Sequence, residues 1–273
     1  MRTDVRYSPN MTIITRAIEA ATKGLIRDFG ELEKLQVSKK GLNDFVSTAD
    51  LRSEKILIEN LQKTRPGYTI LSEEAGLIEG TEPFRFIIDP LDGTSNFLHA
   101  IPHWSISVAL EQTHENGEKE IIVGVVYDPV KDEMFWAEKG KGAYMNNYRL
   151  RVSGRRKMPE SVIGFGSPCY HEENGATRFL KEMEILLKQS VSLRRLASGC
   201  LDLCYVAAGR LDGFYENGLK IWDVAAADII LREAGGYITD YKGNNDHFNS
   251  QEVVAGNRDI QPMLLQLLQK AHS

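Results

Sequence analysis

Apolar positions at Ile14, Ala17, Ile18, Ala21, Leu25 and Phe29 recur close to every 3.6 residues, which predicts an amphipathic first helix over 11–29. Downstream, "LQVSKKGLNDFVSTAD" (35–50) reads as two short strands around a Lys-Lys-Gly turn, followed by a helix over 50–63 that ends before Arg65-Pro66-Gly67. Apolar runs at 68–74, 84–89, 104–112, 121–127 and 132–138 predict strands, several of them joined by Gly, Asn or Asp-Pro turns. Beyond residue 160 the pattern alternates: a strand in "SVIGFGS", a helix near 175–189, a strand in "VSLRRL", a helix near 200–209 and a strand in "LDGFYE". "WDVAAADIILREAGG" (222–236) then opens with an Asp at a helix start and stops at a Gly pair, and a strand near 251–255 and a helix over 258–271 follow. No repeat of 20–50 residues runs through the chain, so layered α/β packing is expected rather than a solenoid.

Acids recur where these apolar elements end. Asp50 follows "FVSTA", Glu73 and Glu74 follow "YTILS", Asp89 and Asp92 follow "FRFII", and Asp223 heads the "WDVAAAD" helix. Each has an ordinary structural explanation: Asp50 and Asp223 as helix caps, Glu73 and Glu74 as solvated strand-end acids, Asp89 as the start of a turn over 89–93. Their shared placement argues for more, because layered α/β proteins put their ligand crevice at strand ends and helix starts. Two aspartates three residues apart repel unless one takes up a proton or a cation neutralises both. Oxygen ligands without a matching imidazole or thiolate point to Mg²⁺, Mn²⁺ or Ca²⁺ rather than zinc, and the histidines form no H-x-x-x-H or H-E-x-x-H pattern. Gly93-Thr94-Ser95 supplies free backbone N–H groups and hydroxyls beside the two aspartates. It reads either as an ordinary N-cap or as a phosphate cradle, and a metal next to such a cradle implies phosphate-ester chemistry. Signatures of nucleotide-triphosphate binding, dinucleotide binding and serine hydrolysis are absent from the sequence.

At 273 residues, the chain has material for one large domain or two intimately packed halves, and its composition excludes the disordered and fibrous classes. No apolar stretch reaches the roughly 18–20 residues a membrane span needs, so a cytoplasmic protein without membrane contact is expected. Cys169, Cys200 and Cys204 form no C-x-x-C pair and are expected to be packed thiols in a reducing compartment. A net charge of −5 argues against nucleic acid as the main partner, although "RLRVSGRRK" (149–157) is a local basic run that could serve a second role.

"SEEAG", "IIDPLDGTSNF" and "WDVAAADIILREAGGYITD", with "DFVSTAD" and "VAAGRLDGFYE", resemble the motifs of the magnesium-dependent, lithium-sensitive phosphatase superfamily, and most closely those of the inositol monophosphatase family. The resemblance covers nearly the whole chain. It implies a five-layered αβαβα sandwich of the inositol monophosphatase and fructose-1,6-bisphosphatase type, formed by one domain over 1–273 with an α+β half (about 1–150) and an α/β half (about 151–273). It also implies a homodimer. Carried over by position, it assigns Glu73, Asp89 and the Leu91 carbonyl to one Mg²⁺ and Asp89, Asp92 and Asp223 to a second, with two or three ions in all and Mn²⁺ as a substitute. Asp50 and Thr94 match the pair that activates the attacking water, the Thr hydroxyl donating to the Asp carboxylate, and Glu73 belongs to the same catalytic group. Asp92, Gly93, Thr94, Ser95 and Asp223 match contacts to the phosphorylated substrate, and Glu216 matches the acid that hydrogen-bonds inositol hydroxyls. The chain departs from the family where Gly, then Ser or Thr, then Ala commonly lines the ring: here the residues are Ala197-Ser198-Gly199. Either the Ala197 methyl crowds that backbone or the loop has shifted its glycine. The implied activity is hydrolysis of a phosphate monoester, myo-inositol 1-phosphate first, by a metal-activated water. The alternatives are another sugar phosphate or a 3′-phosphoadenosine nucleotide as substrate, or an RNA or transcription-complex accessory role resting on the basic run.

Overall fold

The computed structural model describes residues 7–32, 39–166 and 175–272, of which 39–47 and 175 are described by backbone alone. Helix α1 (Pro9–Leu32) buries Met11, Ile14, Ile18, Leu25 and Phe29 along one stripe, as its periodicity predicts. Burial of each such side chain is worth about 1.5–3 kcal/mol. Helix α2 (Lys39–Thr64) packs beside it, and Arg52 of α2 meets the buried Asp28 of α1 at 2.5 Å.

The second strand expected before Asp50 is not formed, because α2 already includes those residues; the first, at 35–38, lies outside the described residues. Once the downstream turns exist, each further residue adds a backbone bond cheaply, and one interior Gly41 costs only about 1 kcal/mol. Asp50 consequently sits inside a helix and not at a cap.

An eight-stranded sheet follows: β1 (Thr69–Ser72), β2 (Gly76–Ile78), β3 (Phe84–Asp92), β4 (Ser105–Thr113), β5 (Lys119–Asp128), β6 (Glu133–Glu138), β7 (Gly142–Met145) and β8 (Tyr148–Arg149). Its order is β2-β1-β3-β4-β5-β6-β7-β8, antiparallel except for β1 against β3. Both faces are covered. Phe86, Ile88, Ile106, Val108, Val125 and Trp136 pack toward α1 and α2, whereas Ile87, Ala109, Val126 and Phe135 pack the other way. Apolar residues on both faces explain why these strands read as continuous runs without alternation.

The second sheet contains β9 (Val162–Phe165), β10 (Ser192–Arg194), β11 (Gly213–Asn217), β12 (Tyr237–Thr239) and β13 (Glu252–Gly256), in the order β10-β9-β11-β13-β12. Between the sheets lie α5 (Gly199–Ala207) and α6 (Ile221–Glu233), apolar nearly all round, as a helix enclosed on two sides must be. Helices α4 (Gly175–Gln189) and α8 (Ile260–His272) cover the outer face of the second sheet through Leu186, Leu264 and Leu268. Helix pair, sheet, helix pair, sheet and helix pair give the expected five αβαβα layers. Short α3 (Thr94–Leu98) and α7 (His247–Ser250) lie in connections. Patterning gave no warning of β2, β7, β8 and β12, at two to four residues too short to show a period. Cys200 and Cys204 are buried as expected, and Cys169 lies outside the described residues. No described helix is long and apolar enough to cross a membrane.

Candidate active site

The expected turn at 89–93 is instead, up to Asp92, the end of β3. Side chains three apart on a regular strand point to opposite faces, which would separate Asp89 from Asp92. Asp89 pairs with Ser107 and Asp92 with Ser105, so three steps on β3 match two on β4, and the extra residue forms a bulge that resets the parity. Pro90, with no N–H to give a ladder, fits inside it. Both aspartates therefore emerge on the face toward α5 and α6, where they are buried and their oxygens lie within 4.8 Å of each other and of the Cys200 Sγ.

Each acid is fixed by its surroundings. The Leu91 N–H donates to Asp89 Oδ1 at 3.0 Å. Asp92 Oδ2 accepts from Ser105 Oγ at 3.2 Å, from Ser198 Oγ, and from the Cys200 N–H at 3.0 Å. The start of α5 is thereby stapled to the end of β3. Asp223, the third residue of α6, accepts the Lys220 N–H at 2.7 Å. Glu73 projects, exposed, from the turn after β1, and its N–H reaches the Ile88 carbonyl at 3.3 Å.

Three supporting residues were not evident from the sequence. Glu54, buried on α2 one turn after Asp50, accepts from Ser72 Oγ and from the N–H groups of Glu74 (3.1 Å) and Ala75 (3.0 Å), holding the Glu73 turn. Asn96 Nδ2 donates to the carbonyls of His103 (2.7 Å) and Leu196 (2.8 Å), tying α3 to both flanking loops. Asp202 on α5 is 1% exposed, and both its carboxylate oxygens are buried without a hydrogen bond among the described residues. Burial pushes its carboxyl well above the usual range, with Glu216 adding to the effect. An acid within the apolar run "GCLDLCYVA" was the available signal.

Electrostatically, repulsion dominates the cluster among the described residues, with Lys220 beside Asp223 as an opposing charge. Burial, followed by Glu73, Glu74 and Glu54, pushes Asp50 up to about 8. Although Glu73 is exposed as a whole residue, partial desolvation of its carboxyl, followed by Glu74 and Asp92, pushes it up to about 7. Asp223 is raised to about 7, again by burial first, with Asp92 and Glu73 adding to it. Asp89 stands well above the usual carboxylate range, and Asp92 is raised by burial despite the hydrogen bonds it accepts. Asp50 Oδ1 is moreover buried without a hydrogen-bond partner among the described residues. Buried, mutually repelling acids fit a divalent cation.

One expectation requires correction. The Thr94 hydroxyl donates to the Leu91 carbonyl at 3.0 Å and not to Asp50, since Thr94 opens α3 directly after the bulge. The Cys200 Sγ, buried as anticipated, lies within 4.8 Å of an oxygen of each of Asp89 and Asp92. Gly93, with φ 86°, caps α3 and leaves Thr94 half-buried and Ser95 exposed. Glu216, near the end of β11, lies against Gly166, where an added Cβ would come within 1.7 Å of its carboxyl carbon and push the Glu216 side chain aside. Ala197 itself adopts φ 64°, and Gly199 does not take a positive φ: the glycine has not shifted, and the alanine carries a strain of about 1–2 kcal/mol.

At the opposite end of α5, the basic run lines a surface cavity of about 670 Å³ with Arg151, Arg155, Arg156 and Lys157 beside Gly209.

The profile of the inositol monophosphatase family matches residues 6–273. An inositol-1-monophosphatase of Mesorhizobium japonicum is 47% identical over 95% of this chain and 96% of its own. The Nus factor SuhB of Escherichia coli is 39% identical over 94% of each chain. Among solved structures, the extragenic suppressor protein suhB of Bartonella henselae superposes with a TM-score of 0.87 at 44% identity, covering 96% of this chain and 99% of its own. With this fold, this acid cluster and these likenesses, the chain belongs to the inositol monophosphatase family and is a phosphatase.

Proposed function

We propose that this phosphatase hydrolyses myo-inositol 1-phosphate in a Mg²⁺-dependent reaction. The observation that carries the proposal is the bulge of β3, which gathers Asp89 and Asp92 directly before Gly93-Thr94-Ser95. Glu73, Asp89, the Leu91 carbonyl, Asp92 and Asp223 would hold the cations. Bound there, a divalent ion supplies charge to the phosphoryl oxygens and acidity to a water. Phosphate monoesters hydrolyse so slowly unaided, with enhancements up to ~10²¹ required, that such charge has to be the main lever.

The remaining roles belong to side chains and amides. Asp50, whose Oδ1 is buried and unpartnered, takes the proton of the attacking water. Thr94, fixed on Leu91, sets the entry to α3, whose first N–H groups and the Ser95 hydroxyl receive the phosphate. Glu216 accepts hydrogen bonds from polyol hydroxyls, and this favours inositol over the other monoesters. Lithium sensitivity, a homodimer, a single domain divided near residue 150 and a cytoplasmic setting accompany the same reading. Phosphate release from myo-inositol 1-phosphate, measured with Mg²⁺, with chelator and in Asp92→Asn, tests it. Release that ignores both the chelator and the substitution defeats the proposal; release confined to another monoester moves the substrate and keeps the reaction.

The basic cavity and the relatives called Nus factor support a second role, contact with RNA in a transcription complex. RNA binding that survives Asp92→Asn and fails in a chain lacking Arg155 and Arg156 would establish it.

A further inference from the structure

Resting on the reading of Asp89 and Asp92 as metal ligands, we propose that Cys200 makes this pair a site for a soft divalent cation, of the Zn²⁺, Cd²⁺ or Co²⁺ type, that competes there with Mg²⁺. The Cys200 Sγ and one oxygen from each aspartate lie within 4.8 Å of one another, and all three side chains are buried. A tetrahedral ion with bonds of about 2.0–2.3 Å spans its donors at about 3.5 Å, so each atom closes by less than about 1 Å. Mixed thiolate and carboxylate ligation suits a borderline or soft ion, whereas Mg²⁺ takes oxygen only.

The thiol is held in this position. Its own N–H is bound to Asp92 Oδ2 at 3.0 Å, and its Sγ meets the Asp223 carbonyl at 3.1 Å, so α5, α6 and β3 converge on it. Binding exchanges one proton: the S–H bond breaks, the sulfur–metal bond forms, and the proton leaves to solvent. Cys204, one helical turn further along α5, is equally buried yet joins no such three-donor group among the described residues, which makes it the internal control.

The test is a Co²⁺ titration of the chelator-stripped chain, read by the near-ultraviolet thiolate-to-cobalt charge-transfer band. The expected result is a band saturating at one Co²⁺ per chain, retained in Cys204→Ser and Cys169→Ser, lost in both Cys200→Ser and Cys200→Ala, and suppressed by excess Mg²⁺. Cobalt affinity should fall at least about tenfold in the Cys200 variants, while Mg²⁺ affinity falls less. No band, a band that survives both Cys200 variants, insensitivity to Mg²⁺, or equal loss of Co²⁺ and Mg²⁺ affinity overturns the proposal. Failure of the functional reading is a separate result: a cobalt band of this kind without Mg²⁺-dependent phosphate release removes the proposed hydrolysis and leaves the thiol site.

Discussion

The two ends of α5 handle charge in opposite ways. At its start, Asp50, Asp89, Asp92 and Asp223 gather, and burial and mutual repulsion hold their carboxyls above the usual range. Beyond its last turn, the cations are answered by acids: Arg155 meets the buried Asp212 at 3.1 Å, and the exposed Arg156 and Lys157 face Asp259 and Glu160 at 3.9 Å. Asp212 also receives the Ser153 hydroxyl at 2.5 Å and the Val162 N–H at 2.8 Å. A satisfied charge serves the scaffold, whereas buried like charges left uncompensated mark where the fold waits for a ligand.

The sharpest way to break this contrast is at the acid end. Asp92→Asn should lower turnover at least about a hundredfold while the circular dichroism spectrum stays native, because it removes a ligand charge at little steric cost. Asp50→Asn should slow the chemical step to a similar degree yet leave Mg²⁺ affinity intact by calorimetry; abolished Mg²⁺ binding would make Asp50 a ligand.

At the other end, Asp212→Asn should cost stability and not catalysis. Breaking a buried, multiply bonded carboxylate costs about 3 kcal/mol, or about 6–12 °C in Tm for a chain of this size. Unchanged kcat/KM is expected, and a Tm within a degree of the parent would show that the pairing is incidental.

The metal-free chain sharpens the contrast through pH. Asp50, Glu73 and Asp223 have folded values of about 8, 7 and 7, above those of an unfolded chain. Acids raised on folding contribute stability in full below about pH 4 and lose it as pH climbs through 7 and 8. With chelator present, Tm should therefore fall between pH 5.5 and 8. With saturating Mg²⁺, which binds the ionised acids, the metal-induced gain should grow over the same range. A metal-free Tm that rises with pH would contradict the charge assignment.

The smallest effect belongs to Ala197→Gly. Relief of the positive φ is worth about 1–2 kcal/mol, and the added freedom of the unfolded chain returns about 0.4–1 of it. A gain of about 1–3 °C in Tm should result.

Much of this was legible in the residues. The stripe of α1 is a local pattern, and it survives folding because one buried face dictates it; of the acids expected at element ends, Asp92 ends β3 and Asp223 lies in the first turn of α6, whereas Asp50 lies inside α2. Glu54, Asn96 and Asp202 were not legible, because their importance lies in partners 7 to 100 positions away or in burial that only packed layers create. Cys200 looked inert for the same reason, since nothing in "GCLDLC" reveals that its helix starts against the end of β3. Nor could a reading by strand parity foresee the Asp89/Asp92 pairing.

That single supernumerary residue of β3 gives the site an arithmetic of its own. Substitutions at Pro90 or Leu91 that flattened the bulge would restore simple alternation over the three steps and send one aspartate to the α1 side of the sheet, whereas loss of one residue would leave the two acids two apart and on one face. The metal pair therefore depends on the irregularity at 90–91 as much as on its own carboxylates, and a substitution there that regularised the ladder would part the pair without touching either aspartate.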